Sequence, residues 1–258
     1  MDLPQHTQDT RKPLTGRTSL VTGAAKRIGR HVALGLARAG ANVIVHYGSA
    51  EVEAKEVADT IRASGVDAWT VQADLDDPQQ AEALVDRSAE QAGPIDVLIN
   101  NASIFPEGRL ADCSAQDILA NARINAVAPF LIARAVARQG RQAAIVNFLD
   151  ARMVDHDPLH VPYNLSKRML LSLTKMMALE FAPRVRVNAV APGVILAPVG
   201  KDEESYLAKL VTSNPLQRIG TVDQVLDAVM FLLQNEFITG QVLYVDGGRH
   251  MKGSVYGG

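Results

Sequence analysis

The chain has 258 residues, a formal charge of −2 at pH 7 and 47% hydrophobic residues, which is the composition of an ordinary globular protein. This composition excludes a disordered or collagen-like chain, and the near-neutral charge argues against nucleic-acid binding. The single cysteine, Cys113, cannot form an intramolecular disulfide and therefore favours the reducing cytoplasm. We expect no membrane span and no secretory signal, because the apolar runs are short and residues 1–16 form a polar N-terminal tail.

Strand-like and helix-like segments alternate along residues 17–258. The predicted strands are residues 18–22, 41–46, 68–73, 96–100, 143–148, 185–190 and 241–245. The predicted helices are residues 27–39, 51–63, 78–92, 115–138, 163–182 and 222–234. Apolar strands separated by helices predict an α/β fold, namely one doubly wound domain with a seven-stranded parallel sheet and helices on both faces. Ligands of such domains bind beyond the carboxyl ends of the strands.

A glycine-bearing turn follows the first predicted strand. Gly23 suits the tight turn itself, and Gly29 allows the next helix to pack closely against the strand. Backbone amides at the start of this helix, which contains Ile28, can then hold a pyrophosphate. An ordinary strand-to-helix turn is the alternative interpretation. The position of the turn in the first strand–helix unit favours the dinucleotide site.

The end of the second predicted strand indicates which dinucleotide is bound. A carboxylate there would bind the ribose hydroxyls of the adenosine and repel a 2′-phosphate. His46, Tyr47 and Ser49 occupy this stretch, which contains no acid. Lys26 and Arg27 lie in the first turn, within reach of such a phosphate, so the sequence favours NADPH over NADH. The alternative is that the two cations only solvate the start of the helix.

Polar residues also follow the third and fourth predicted strands. Asp74, which precedes Leu75, is placed to accept a hydrogen bond from the adenine amino group, or else to cap the next helix. Asn101, Ala102 and Ser103 follow the fourth strand at the same edge of the sheet. An asparagine there also stabilises turns, and the two roles are compatible.

A set of motifs extends this pattern over residues 16–248. The motifs are Thr22-Gly23 with Gly29, Asn100-Asn101-Ala102, Tyr163 with Lys167, and Pro192-Gly193. In this order and spacing the chain resembles the short-chain dehydrogenase/reductase family. The resemblance implies a Rossmann-like sheet, a nicotinamide cofactor and a homotetramer, with cofactor contacts from Pro192, Gly193 and Ile195.

Tyr163 and Lys167 are four residues apart, so they lie on one face of a helix. A neighbouring ammonium favours the phenolate, and we therefore expect Lys167 to lower the pKa of Tyr163 toward neutrality. Tyr163 then serves as the proton donor when hydride arrives. The resemblance implies that Lys167 also holds the nicotinamide ribose and that Asn125 supports the lysine through water. The alternative for Asn125 is a polar helix residue that faces solvent.

Two positions depart from the usual family pattern. Arg27 stands where the family has glycine, and Asp150 stands thirteen residues before Tyr163, where the family has a catalytic serine. An ionised aspartate cannot donate a hydrogen bond to a carbonyl oxygen, and it repels the developing oxyanion. Asp150 therefore argues against simple ketone reduction. It suits a substrate that carries N–H groups or a ring nitrogen to be protonated.

Both departures occur in the pteridine reductase branch of the family, which the chain resembles, and bacterial dihydromonapterin reductases are similar as well. The resemblance implies that Arg27 and Ser103 contact the pterin and a cofactor phosphate, and that Phe105 stacks on the pterin ring. A core position is the alternative for Phe105. Residues 194–212 correspond to a substrate loop of the family, whose acidic run we expect to be solvated.

The sequence thus predicts an NADPH-dependent reductase of oxidised pterins such as dihydrobiopterin, dihydromonapterin or dihydrofolate. The predicted catalytic residues are Asp150, Tyr163, Lys167 and Asn125. A carbonyl or 3-oxoacyl-thioester reductase is the first alternative, and a non-catalytic NADP(H)-binding sensor is the second. No histidine spacing matches a metal site, so we expect no metal. The expected partners are a small-molecule substrate and further copies of the chain, without nucleic acid or membrane.

Overall fold

The computed structural model describes residues 12–198, 200 and 202–252. Within them, a seven-stranded sheet has the strand order β3-β2-β1-β4-β5-β6-β7, and all neighbouring strands are parallel. The strands are β1 (Thr18–Val21), β2 (Asn42–Tyr47), β3 (Ala68–Gln72), β4 (Val97–Asn100), β5 (Ala143–Phe148), β6 (Val185–Pro192) and β7 (Val242–Val245). The predicted fold class, a single Rossmann-like domain with this sheet, is confirmed.

Helices connect the strands and cover both faces of the sheet. They are α1 (Arg27–Arg38), α2 (Glu51–Ala63), α3 (Pro78–Ala92), α4 (Ala115–Ala122), α5 (Ala128–Arg138), α6 (Val161–Glu180), α7 (Glu203–Ala208) and α8 (Val222–Gln234). The predicted boundaries of α1, α2, α3, α6 and α8 agree with these to within two residues. None of the helices in the described part of the chain is both long enough and apolar enough to cross a membrane.

Two predicted segments differ from the structure. The expected helix over residues 115–138 is interrupted by a π-helical turn, Arg123–Val127, which separates α4 from α5. The expected loop over residues 194–212 contains α7, because the Asp202 carboxylate caps its start by accepting a hydrogen bond of 2.9 Å from the Ser205 amide. The acidic residues Glu203 and Glu204 are exposed, as expected.

The strands are apolar on both sides because each face of the sheet has its own core. Val21 and Val45 belong to the cluster that packs against α1 and α8, whereas Leu20 and Ile44 belong to the cluster that packs against α3 and α5. Adjacent residues of a strand point to opposite faces, so both members of each pair are buried. This explains the near-continuous apolar runs of the sequence.

The chain order places a crevice at the centre of one sheet edge. After β3 the chain crosses back to β4 on the other side of β1, so the segments that follow β1 and β4 leave the sheet in opposite directions. Open α/β sheets bind ligands beyond the carboxyl ends of the strands at such a switch point.

The N-terminal tail is described only from residue 12 onward, and residues 1–11 lie outside the described residues. The described part of the predicted tail packs on the domain. Leu14 is buried, and its amide donates a hydrogen bond of 2.9 Å to the Ala39 carbonyl at the end of α1.

Candidate active site

The turn between β1 and α1 lies at the carboxyl edge of the sheet and is shaped by two glycines. Gly23 has a φ of +63°, in the left-handed region that favours glycine. A Cβ atom on Gly29 would overlap the Gly23 carbonyl oxygen and the Asn101 side-chain amide. A larger residue at position 29 would therefore push α1 away from the strand end.

The first turn of α1 offers free positive potential to an anion. Lys26 is the N-cap residue, but its side chain makes no capping hydrogen bond, and the first turn contains no acidic residue. No carboxylate of α1 therefore occupies the amide groups of this turn, and the helix dipole strengthens their attraction for negative charge. These features fit the pyrophosphate of a dinucleotide.

The structure separates the two cations that the sequence assigned to one phosphate. Lys26 Nζ lies 2.7 Å from Glu53 Oε1, so a carboxylate does occur near the end of β2, although it comes from α2. Arg27 points elsewhere, because its Nη2 donates a hydrogen bond of 2.6 Å to the Ala197 carbonyl. Arg27 has a φ of +54°, in the left-handed region that glycine adopts most easily, so glycine would suit this position. Tyr47 and Ser49 are accessible beside the Lys26 turn.

His46 is buried and supports the glycine turn rather than exposing its ring to the crevice. Its Nδ1 accepts a hydrogen bond of 3.1 Å from the Gly23 amide, and its Nε2 donates to the Ala73 carbonyl at 3.1 Å. Both ring nitrogens are therefore used within the protein. Burial lowers the pKa of His46 from 6.5 to about 4, so the ring is neutral at physiological pH.

We expect His46 to make folding sensitive to mild acid. The unfolded chain takes up a proton at this histidine below about pH 6.5, whereas the folded chain resists until about pH 4, so stability falls as the pH falls through this window. The lowered pKa corresponds to about 3 kcal/mol of unfolding free energy at the acidic end. Urea unfolding at several pH values should show that His46→Gln removes this pH dependence, with His156→Gln, at an exposed site, as the control. Equal pH dependence in wild type and His46→Gln would contradict the assignment.

The residues that follow β3 and β4 line the same edge. Asp74 is exposed, and its Oδ1 accepts a hydrogen bond of 2.9 Å from the Asp76 amide, while Asp77 caps α3. The helix cap considered for Asp74 therefore belongs to Asp77. Asn101 stabilises the turn, since its Nδ2 donates to the carbonyls of Thr22 and Gly23 at 2.9 and 3.2 Å.

Leu75, Gly193 and Ile195, which were predicted to contact the cofactor, contribute mainly backbone atoms to this edge of the sheet. The side chains of Leu75 and Ile195 are buried in the two cores. Gly193 follows Pro192 at the end of β6, and a Cβ atom on it would lie 2.8 Å from the Cα of Asp246. This close approach allows the chain beyond β6 to pass along the crevice.

Tyr163 and Asp150 form the most distinctive contact of the site. The Tyr163 hydroxyl donates a hydrogen bond of 2.8 Å to Asp150 Oδ2, and Asp150 Oδ1 accepts one of 2.7 Å from the Arg152 amide. Burial and the Asp150 carboxylate raise the pKa of Tyr163 well above 10. The expectation of a lowered tyrosine pKa is therefore wrong, because the nearest charge is a carboxylate and not the ammonium of Lys167.

Lys167 lies on the same face of α6 as Tyr163, as predicted. Its Nζ donates a hydrogen bond of 2.8 Å to the Phe148 carbonyl at the end of β5 and lies 5.6 Å from the centre of the Tyr163 ring. Burial lowers the pKa of Lys167 to about 8, and Asp150 opposes this shift. The ammonium is thus positively charged at pH 7 but titrates in the alkaline range.

Asn125 lies in the π-helical turn and is fully buried, which excludes the solvent-facing alternative. Its Oδ1 accepts hydrogen bonds from the Ser103 hydroxyl and the Ile104 amide at 3.1 and 2.9 Å, and its Nδ2 donates to the Ile104 carbonyl at 3.0 Å. A second donation of 3.0 Å reaches Ser166 Oγ on α6. Asn125 thereby ties the loop after β4 to the helix that carries Tyr163.

A cavity of about 490 Å³ opens beside the Tyr163 hydroxyl. Predicted residues that line it are Arg27, Ile28, Ser103, Phe105, Asp150, Tyr163 and Gly193. The structure therefore brings the predicted substrate residues together with two of the predicted catalytic residues, Asp150 and Tyr163. Phe105 is about one-third exposed and not a core residue, which excludes its alternative interpretation.

Arg152 and Arg249 line this cavity although no sequence pattern indicated them, and Tyr206 lines it from within the predicted substrate loop, where it was not singled out. Arg152 follows β5 two residues after Asp150, and its Nη1 donates a hydrogen bond of 3.0 Å to Asp157 Oδ2. Tyr206 lies on α7, for which Asp202 followed by two glutamates was a usable signal. Arg249 comes from the short 3₁₀ turn after β7 and lies 3.5 Å from Asp155. Its position depends on how that turn folds, which no local pattern indicates.

Among the described residues, no group of three or more histidine, cysteine, aspartate or glutamate side chains is placed to hold a metal ion. Cys113 is partly buried, and its Sγ lies 3.9 Å from the Leu110 carbonyl.

Comparison with known proteins agrees with this geometry. The family model described as "Enoyl-(Acyl carrier protein) reductase" matches residues 23–250. The 3-oxoacyl-[acyl-carrier-protein] reductase FabG of Staphylococcus aureus is 34% identical over 91% of this chain and 98% of that protein. Both comparisons cover nearly the whole domain.

Two solved structures match a similar share of the chain. The FolM Alternative dihydrofolate reductase 1 from Brucella suis, in complex with NADP, is 32% identical with a TM-score of 0.87 over 92% of this chain and 96% of that one. The angucycline C-6 ketoreductase LanV with bound NADP is 29% identical with a TM-score of 0.85 over 92% of this chain and 97% of that one. The chain therefore belongs to the short-chain dehydrogenase/reductase family of oxidoreductases.

Proposed function

We propose that the protein reduces oxidised pterins, such as dihydrobiopterin, dihydromonapterin or dihydrofolate, to their tetrahydro forms with NADPH. The observation that carries this proposal is the hydrogen bond of 2.8 Å from the Tyr163 hydroxyl to Asp150. A carboxylate at this position accepts hydrogen bonds from the N–H groups of a pterin, whereas it repels the oxyanion that forms from a ketone. The similarity to FolM Alternative dihydrofolate reductase 1 from Brucella suis supports the same substrate class.

The proposed cofactor site is the β1–α1 turn together with the ends of β2, β3, β4 and β6. Amides of the first turn of α1 hold the pyrophosphate, and Lys26 holds the 2′-phosphate beside Tyr47 and Ser49. Asp74 accepts from the adenine amino group, while Asn101, Ala102 and Ser103 border the nicotinamide side. The similar structures bound to NADP support the choice of this dinucleotide.

Bound NADPH supplies the hydride that adds to the carbon of a ring C=N bond. Tyr163 holds its proton at neutral pH and donates it to the ring nitrogen, which completes the reduction to a CH–NH unit. Asp150 accepts the hydrogen bond of the phenol and holds it in position, and a proton from bulk water restores the Tyr163 hydroxyl after the transfer. Lys167 is fixed by the Phe148 carbonyl beside the tyrosine, where its charge orients the nicotinamide ribose.

We expect Lys26 to account for part of a preference for NADPH over NADH. Replacing Lys26 with methionine should lower kcat/KM for NADPH by about tenfold, the usual effect of removing a hydrogen bond to a charged group, and leave kcat/KM for NADH unchanged. Steady-state kinetics with both dinucleotides make the comparison. Lys55→Met is the matched control, because Lys55 forms a similar exposed ion pair of 2.7 Å with Glu51 on α2. A parallel loss with both dinucleotides would contradict the role of Lys26.

Reduction of a carbonyl or a 3-oxoacyl thioester is the second candidate. The 34% identity with a 3-oxoacyl-[acyl-carrier-protein] reductase favours it. Against it stands Asp150, which cannot donate the hydrogen bond that a developing oxyanion requires. A non-catalytic NADP(H)-binding sensor is the third candidate. Against it, Tyr163, Lys167 and Asn125 are all present and each is held by a hydrogen bond.

Equilibrium binding tests the substrate class directly. Calorimetric titration of the NADP⁺-loaded protein with biopterin should give saturable binding at a single site per chain. Asp150→Ala should weaken this binding while the affinity for NADP⁺ stays the same. Absence of pterin binding by the wild-type protein would overturn the proposal.

The exposed apolar side chains of α6 support a homotetramer as the assembled form. Leu165, Met169, Met176 and Leu179 are all more than 40% exposed. They follow the spacing of one helix face, and an apolar stripe of this kind is typical of a subunit contact. Light scattering on the purified protein measures the assembly directly, and a monomer would contradict this part of the proposal.

A further inference from the structure

Phe105 is one member of a pair of stacked rings at the wall of the cavity. The ring of His160 lies parallel to that of Phe105, with centroids 3.9 Å apart and an interplanar angle of 14°. The Tyr163 ring is nearly perpendicular to that of Phe105, with centroids 4.6 Å apart and an angle of 83°. One face of Phe105 is therefore covered by histidine, and the part of the ring that stays exposed lines the cavity.

His160 is itself fixed from behind. Its Nδ1 donates a hydrogen bond of 3.0 Å to Asp157 Oδ2, and the same oxygen accepts one of 3.0 Å from Arg152 Nη1. Asp157 Oδ1 accepts a further hydrogen bond of 2.9 Å from the Leu159 amide. The three side chains of His160, Asp157 and Arg152 are mostly buried, so these hydrogen bonds are shielded from competing water.

The backbone also joins the two loops that carry the stacked rings. The Gly108 amide donates to the Leu159 carbonyl at 2.7 Å, and the Val161 amide donates to the Gly108 carbonyl at 3.0 Å. This bridge holds the loop of Phe105 against residues 159–161 without using the His160 side chain. A substitution of that side chain therefore leaves the connection between the loops in place.

We propose that His160, held by Asp157, is a positioning residue that sets the specificity of the cavity for flat aromatic rings by keeping Phe105 parallel to the bound ring. This inference rests on the proposed function, because it assigns the pterin to the part of the Phe105 ring that lines the cavity. A rigid aromatic wall favours a planar heterocycle, whereas a flexible acyl chain gains little from it. Asp157 also holds Arg152, which lines the cavity itself.

The stacking contact leads to a defined effect on binding. A stacked aromatic pair contributes enough free energy to change affinity roughly three- to tenfold. His160→Ala removes the covering ring and should raise the Kd and KM for a pterin by that factor, with kcat nearly unchanged. His160→Phe keeps a stacked ring but loses the hydrogen bond to Asp157, so it should restore most of the affinity.

The experiment compares wild type, His160→Ala, His160→Phe and the control His156→Ala, an exposed histidine of the same loop. Calorimetry gives the Kd of biopterin for the NADP⁺-loaded proteins, and steady-state kinetics give kcat and KM for dihydrobiopterin and for an acetoacetyl thioester. We expect His160→Ala alone to weaken pterin binding, His160→Phe to recover it, and the KM of the thioester to stay the same in all four. NADP⁺ binding reports whether each variant is folded.

Three outcomes would overturn the inference. If His160→Ala binds biopterin as tightly as wild type, Phe105 needs no covering ring, and the proposed function still stands. If His160→Ala weakens the binding of pterin and thioester equally, or if His160→Phe does not recover pterin binding, His160 has a general structural role instead. Failure of the wild-type protein to bind any pterin overturns the proposed function and this inference together, which distinguishes it from the first two results.

Discussion

Tyr163→Phe should lower the turnover of dihydrobiopterin by about 100- to 10,000-fold, the range that a positioned general acid supplies. The phenylalanine keeps the ring contact with Phe105 but has no hydroxyl to donate to Asp150 or to the substrate. Binding of NADPH should be nearly unchanged, because the cofactor turn lies on β1 and α1. Stopped-flow measurement of NADPH oxidation separates the chemical step from binding.

Tyr244→Phe is the matched control for this substitution. Tyr244 lies on β7, and its ring stacks on His250 outside the cavity that contains Tyr163. Its substitution removes a tyrosine hydroxyl from the same protein without touching the proposed proton donor. Turnover by Tyr163→Phe within about threefold of wild type would assign the proton transfer to another group.

Asp150→Ser should exchange one substrate class for another. The serine hydroxyl can donate to a carbonyl oxygen, but it no longer supplies the negative charge that holds the N–H groups of a pterin. We expect kcat/KM for dihydrobiopterin to fall roughly 10- to 100-fold, the effect of losing a hydrogen bond to a charged group. Reduction of an acetoacetyl thioester should increase over the wild-type level in the same preparation.

Asp150→Asn separates charge from shape in this experiment. The amide has nearly the same size as the carboxylate but no negative charge, and its NH2 group can donate to a carbonyl oxygen, so it should lose pterin turnover and gain thioester reduction as the serine variant does. Unchanged pterin kinetics in both variants would remove Asp150 from the account. A loss of thioester reduction in Asp150→Ser would show that the aspartate does not exclude ketones by its charge.

The fold was predictable because its signals are local. Apolar strands such as residues 143–148, separated by helix-length segments, indicate a parallel sheet covered on both faces, and two core clusters account for them. Gly23 and Gly29 marked the turn at the switch point for the same reason, since their backbone demands depend on their immediate neighbours. The interruption at Asn125 was not predictable from the sequence, because π-helical turns are rare and occur mostly as single-turn bulges inside α-helices.

The protonation of Tyr163 was the largest error of the sequence interpretation. Helical spacing correctly places Lys167 on the same face, but spacing gives no distance between the two functional groups. Lys167 Nζ is held by the Phe148 carbonyl, while Asp150 comes within 2.8 Å of the phenol from a different element. A pKa depends on such contacts between distant parts of the chain and on burial, so its direction required the structure.

The residues that line the cavity also divide into those that the sequence indicated and those that required the structure. Phe105, Ser103 and Asp150 belong to segments that follow strands at one edge of the sheet, and the strand order brings them together. Arg152 and Arg249 lie in short 3₁₀ turns whose course is determined by packing, so the sequence alone did not place them in the cavity. His160 precedes Tyr163 by three residues, but its contact with Phe105 joins two distant segments and had no signal in the sequence.

The most direct test is NADPH consumption by the purified protein, offered dihydrobiopterin, dihydrofolate and an acetoacetyl thioester in parallel. We predict turnover of the two pteridines well above that of the thioester, because Asp150 accepts hydrogen bonds from ring N–H groups and repels a developing oxyanion. Turnover of the thioester alone would contradict the role given to Asp150. No consumption with any of the three, together with stoichiometric NADPH binding, would contradict catalysis and favour a sensor.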